Sequence, residues 1–158
     1  MMTFLPYPDN DLTASTLDRS RLGNQAYCEC KVLVNGLWPN HPISRMWMNF
    51  EGRSYAGALA TYMRAMLDEY NRQSHQRGGL PSNVHVVIPE GCDLTLPPWY
   101  GDERVHSTHR SALLYKNYQW YSRFNWSEVP KFEYYYPRSE FKPLTLDPST
   151  QPYAFRIT

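Results

Sequence analysis

The stretch PPWYGDERVHSTHRSALLYKNYQWYSRFNW, Pro97 to Trp126, decides how the rest of the chain is read. Pro97-Pro98 ends whatever precedes it. Asp102 can then cap a helix running to about Lys116, because its carboxylate can accept from the unpaired N–H groups of a first turn. A short aromatic helix is expected near Tyr118–Phe124. The same stretch carries no acidic residue from Arg104 to Ser127. Arg104, His106, His109, Arg110, Lys116 and Arg123 alternate there with Tyr115, Tyr118, Trp120, Tyr121 and Phe124. Cations neutralise phosphates and flat rings stack on bases, so this composition suits a nucleic-acid surface. The whole chain hides it, with 16 Lys and Arg against 15 Asp and Glu and a net charge of +1.

Working outward, the 158 residues fit one domain, 1–158, which would bury about two-thirds of its unfolded surface. A hydrophobic share of 42% and an aromatic share of 15% exclude a wholly disordered chain. The three cysteines, Cys28, Cys30 and Cys92, have neither disulfide-scaffold nor zinc-knuckle spacing. Cys28 and Cys30 read as packing residues in a reducing compartment. No run approaches the roughly 20 apolar residues of a membrane span, and no signal peptide is visible, so a cytoplasmic protein without membrane partners is expected.

Upstream, Pro6 and Pro8 keep residues 4–10 extended. A first helix is expected from Asp11 or Thr13, with a break, to Val34, where Asn35-Gly36 ends it. Its apolar stripe is Leu22, Ala26, Cys30, Leu33 and Leu37. Asn40 can cap a second helix, with Pro42 in the first turn and a core-facing Met46/Trp47/Met48 cluster. A longer helix, about Glu51 to Gln73, has the stripe Tyr55, Leu59, Tyr62, Met63, Met66 and Tyr70, with Glu51 as a dipole-stabilising charge at its start. Residues 77–98 read as loop, with one short strand allowed at Val84–Ile88. From Pro130 the chain should run as an extended Pro/Tyr-rich tail over the body. The fold class expected is mainly α with long connections.

Three clusters carry candidate chemistry. Asp18, Arg21, Gln25 and Glu29 lie three and four apart on one helix face, beside the apolar stripe. Glu29 at the edge of a core can act as an acid, a base or an electrostatic stabiliser, or simply pair with a nearby cation. His106 and His109, three apart, share a helix face, and Arg110 follows directly. They can contact phosphates or fasten the helix start. They can also hold a metal if a third ligand such as His41 or Glu29 joins them, which two histidines alone do not establish. His41, between Asn40 and Pro42, can point into a cleft or fasten its loop.

Several motifs then coincide in order: TFLPYPDN, LDRSRLGNQ followed by Glu29, NHPISRMW with Phe50-Glu51, PPWYGDE, HSTHRSALLYK, and the closing FNW and YYYP. Together they resemble the bacterial and phage family of pyrimidine dimer DNA glycosylases, which is distantly similar to phage endonuclease V. The resemblance covers about Thr3 to Pro137. It implies a compact helical domain that excises a damaged or modified pyrimidine from double-stranded DNA and then cleaves at the abasic site. It implies no metal or organic cofactor, and a monomer is expected.

In the mechanism so implied, an N-terminal α-amine attacks the sugar C1′ to form an imine, and a helix-borne glutamate assists. An α-amine suits this step because its pKa near 8 leaves a neutral fraction at physiological pH. Glu29 is the match for the glutamate, across a one-residue gap between the two branches. Thr3 is the match for the nucleophilic terminus on a chain that starts at Met2 and loses that methionine. A chain that starts at Met1 would keep the large Met2. An internal lysine such as Lys31 is the alternative amine. Candidate DNA contacts are Arg21, Gln25, His41, Arg45, His106, His109, Arg110 and Lys116. Asn24 and Ala26 stand where close relatives carry Lys and Arg, and Cys28 stands where the distant enzyme has Arg, which should weaken phosphate binding. The competing readings are a non-catalytic nucleic-acid binder using Arg104–Arg123 and a metal-dependent hydrolase using His106 and His109.

Overall fold

Aspartates set the first helices. In the computed structural model, which describes residues 2–29 and 35–139, Asp9 Oδ1 accepts from Leu12 N at 2.7 Å and starts α1, Asn10–Thr16. The cap is therefore Asp9, two residues before the expected Asp11. Leu17 turns extended, and Asp18 caps α2, Arg19–Asn24, accepting from Arg21 N at 3.1 Å. This is the expected break. α2 continues as a π-helical turn, Gln25–Glu29. Leu22 and Ala26 are fully buried, as the stripe requires. Cys30, Leu33 and the rest of residues 30–34 lie outside the described residues. Leu37, beyond the Asn35-Gly36 turn, is 51% exposed and is not part of the stripe.

α3, Pro42–Met48, begins at Pro42, but its cap is His41 rather than Asn40: His41 Nδ1 accepts from Ile43 N at 3.2 Å. The central helix is α4, Ala56–Gln76, which buries Leu59, Tyr62, Met63 and Met66 and packs against α1, α2, the π turn and α3. It starts later than expected. Glu51 sits in a left-handed turn (φ 55°) with Gly52, where Phe50 and Arg53 pair, so it is not a helix-start charge. Gly57 is obligatory: a Cβ there would lie 2.0 Å from the Asp93 carbonyl oxygen, because the 92–93 loop crosses α4 in contact with its backbone. Val84–Ile88 alternates half-buried with exposed residues, but no strand forms there among the described residues.

Asp102 caps α5, Glu103–Lys116, and α6, Tyr118–Tyr121, follows with a 3-10 turn at Ser122–Phe124. These match the expected positions. Residues 130–139 run extended along α5, with Lys131 N donating to Ser111 O (3.3 Å) and Tyr135 N to Thr108 Oγ1 (3.1 Å). The remainder of the expected tail lies outside the described residues. Trp47 centres the core, edge-on to Trp99 at 5.0 Å and tilted against Tyr62 at 6.1 Å. The fold is helical, with no strand among the described residues.

Candidate functional site: a pinned N-terminal segment beside a cationic cleft

Residues Met2–Pro6 are extended, buried and unable to pair in a sheet. Their backbone polar groups must find side chains, because an unpaired buried amide costs free energy. Six of them do, on the π turn, α4 and α5, while α3 holds the Thr3 hydroxyl. From the π turn, Gln25 Nε2 donates to Met2 O (2.9 Å) while its Oε1 accepts from Phe4 N (3.2 Å). From α4, the Tyr62 hydroxyl lies 2.8 Å from Phe4 O and 2.9 Å from Gln25 Oε1. From α3, Trp47 Nε1 donates to Thr3 Oγ1 at 2.8 Å. From α5, His109 Nδ1 accepts from Leu5 N (2.8 Å), His106 Nδ1 lies 2.7 Å from Leu5 O, and Arg110 Nη1 donates to Pro6 O (2.9 Å). Arg110 is itself held by Glu128 at 2.8 Å and by Glu103.

Several expected DNA contacts are corrected by this arrangement. Gln25 and His109 are 0% exposed and His106 is 1% exposed, so none of them presents a face to a duplex. Arg110 is spent on Glu103, Glu128 and Pro6. Burial, and then the charge of His106, hold the His109 imidazole down to about 3, so it is neutral across the physiological range. Three of the four ring nitrogens of His106 and His109 engage backbone groups of Leu5 and Tyr100. Among the described residues no group of three His, Cys, Asp or Glu could hold a metal.

Met2 and Phe4 reach the wall of an open cleft of about 810 Å³. Its other walls are Arg19, Ser20, Arg21, Gly23, Asn24, Tyr27 and Cys28 from α2 and the π turn, Tyr70 from α4, and Lys116 from α5. Tyr27 and Tyr70 meet edge to face at 5.2 Å, and the Arg19 guanidinium lies 4.1 Å over the Tyr70 ring. Gly23 lets Tyr70 close in: a Cβ there would sit 3.1 Å from its ring. Arg21 Nη1 is 2.6 Å from Asp18 Oδ2. Burial raises the Asp18 carboxyl, but the Arg21 N–H, the Tyr121 hydroxyl and the Arg21 guanidinium outweigh it and hold it below the usual carboxylate range. Burial, then the Arg21 charge, hold the Lys116 ammonium below its usual value.

Of the expected site residues, Arg21 and Lys116 line the cleft, and Thr3 lies between its two N-terminal wall residues while being 1% exposed itself. Glu29 closes the π turn, one residue after the cleft-lining Cys28; its side chain lies outside what the structure describes, as does Lys31. His41 and Arg45 do not line the cleft. His41 caps α3 with its ring 6.3 Å from that of Trp38, and exposed Arg45 donates to Asn40 Oδ1 at 3.3 Å. Cys28 is exposed, not packed, and Asn24 faces the cleft as well. Arg19, Tyr27 and Tyr70 were not anticipated. The available signal was the Gly23 notch, which invites a close neighbour.

A helical fold that pins its chain start beside a cleft of cations and rings defines a candidate nucleic-acid-processing site. The family model described as pyrimidine dimer DNA glycosylase matches residues 1–78 of the 158, and over that stretch the chain is similar to this family. No curated protein and no solved structure matches.

Proposed function

We propose that this chain is a DNA glycosylase acting on duplex DNA with a damaged or modified pyrimidine, and that it also cleaves at the resulting abasic site. The observation that carries the reading is that Met2 and Phe4 of the pinned segment and Tyr27 and Cys28 of the π turn, next to Glu29, line one cationic, ring-lined cleft. Arg19, Arg21 and Lys116 would meet phosphates, and Tyr27 and Tyr70 would meet a nucleotide moved out of the stack. On a chain that starts at Met2 and loses it, the Thr3 amine attacks C1′. The N-glycosidic bond breaks, the base leaves with a proton, and an imine joins the sugar to the protein. Glu29 assists base departure and then takes the proton whose loss drives elimination of the 3′ phosphate. Water returns the amine.

The test is base release from ultraviolet-irradiated duplex. Glu29→Gln should lower it by about 10³-fold with the thermal midpoint unchanged. Full activity in that variant removes Glu29 from the mechanism, and salt-dependent binding without any product from the unaltered chain favours a non-catalytic binder.

A further inference from the structure

The Leu5 backbone is gripped on both sides by one helix. Leu5 N donates to His109 Nδ1 at 2.8 Å, so that nitrogen carries no proton and the His109 proton sits on Nε2. His106 has the opposite demand. Its Nδ1 lies 2.7 Å from Leu5 O and its Nε2 lies 2.7 Å from Tyr100 O. Carbonyl oxygens only accept, so both nitrogens of His106 must donate, and only the imidazolium does so. The two rings are three residues apart on α5 and are 1% and 0% exposed.

We propose that His106 and His109 are positioning residues that hold opposite protonation states, His106 charged and His109 neutral, and thereby fix the register in which the chain start meets the cleft. The inference rests on the imine reading of the cleft for its consequence, but not for its chemistry. A charged His109 would push a proton at Leu5 N–H, and a neutral His106 would turn a lone pair on one carbonyl. Either change frees Leu5, two residues from Thr3. The titratable and charged groups facing the pair are Tyr100, 6.5 Å from His106 between ring centroids; Tyr134, edge-on to His109 at 5.4 Å; Asp102, whose carboxyl feels the His106 charge; and Arg110, held on the neighbouring Pro6 carbonyl. Among the described residues the His109 Nε2–H has no hydrogen-bond partner, and the Tyr134 ring packs perpendicular to the imidazole. A second buried positive charge at His109 would have no acceptor there.

Nitrogen-15 spectra of histidine-labelled protein near neutral pH test the pair directly, with His106→Gln and His109→Gln supplying the assignments. The expected result is two protonated ring nitrogens on His106 and one, Nε2, on His109. A singly protonated His106 or a doubly protonated His109 overturns the proposal. Positioning is tested by borohydride trapping on abasic-site duplex. His109→Leu, which cannot accept from Leu5 N, should trap about 10²-fold more slowly with DNA affinity within about twofold, and His109→Gln, which can accept, should recover most of that rate. Unchanged trapping in a folded His109→Leu protein overturns the positioning role. No trapping by the unaltered chain strikes the imine reading instead, and the nitrogen spectra then still decide the protonation pair.

Discussion

Two walls meet at the chain start and use similar residues for opposite ends. On the inner wall Gln25, Tyr62, His106, His109 and Arg110 turn their polar groups inward onto backbone groups of Met2–Pro6, and Trp47 onto the Thr3 hydroxyl. On the outer wall Arg19, Arg21 and Lys116, with Tyr27 and Tyr70, stand around an open cleft. Arginine and tyrosine occur in both. Burial, and for Arg110 its ion pairs with Glu103 and Glu128, assigns the first set to the protein, while the second stands around the open cleft. An inner-wall group therefore acts on stability and position, and an outer-wall cation acts on binding.

The largest effect that separates the walls is expected at Gln25. Gln25→Leu removes the acceptor of the buried Phe4 N–H and the Gln25 donor to the Met2 carbonyl and should cost about 3 kcal/mol, read from the urea midpoint. A cost below about 1 kcal/mol would mean that the segment is not held as described. Next is pH. His109 has a folded value of about 3, below the unfolded value near 6.5, so its contribution is full above about pH 6.5 and is lost as pH falls toward about 3. Unfolding free energy should fall by about 2 kcal/mol between about pH 7 and pH 5, and the fall should shrink in His109→Gln.

On the outer wall, Lys116→Ala should leave stability within about 0.5 kcal/mol while the slope of log K against log salt for duplex DNA becomes shallower by about 0.9. Cys28→Arg probes the same wall from the other side. A cation on that exposed position should steepen the slope by at most about 0.9 and leave the melting temperature unchanged. A salt slope that moves with Gln25→Leu as much as with Lys116→Ala would erase the distinction between the walls.

Part of the scaffold was legible because short polar residues announce helix starts: Asp102 caps where expected, and the break expected in the first helix, for which the sequence named no position, falls at Asp18. Asp9 displaced Asp11, and His41 displaced Asn40, because several capping residues sit side by side and only the tertiary path chooses among them. Glu51 was misplaced for a similar reason, its left-handed turn being set by the Phe50–Arg53 pairing. The histidines were read as phosphate contacts or as fasteners of the helix start; His106, His109 and Leu113 fall in helical phase on the buried face of α5, so only a fastening role is open to them. That phase was available; the need for polar side chains in the core was not, because it arises from an N-terminal segment threaded between four helices. Arg21 and Lys116 were legible as cations. Their meeting across 95 residues, with Tyr27 and Tyr70, belongs to the packing of α2 and α4 against the end of α5.

Borohydride reduction of the protein on abasic-site duplex, followed by peptide mapping of the adduct, tests most directly whether the pinned chain start is what the cleft presents to DNA. The account predicts a covalent adduct on the first residue of the mature chain. An adduct on a lysine, Lys116 included, or none from DNA that is demonstrably bound, contradicts it.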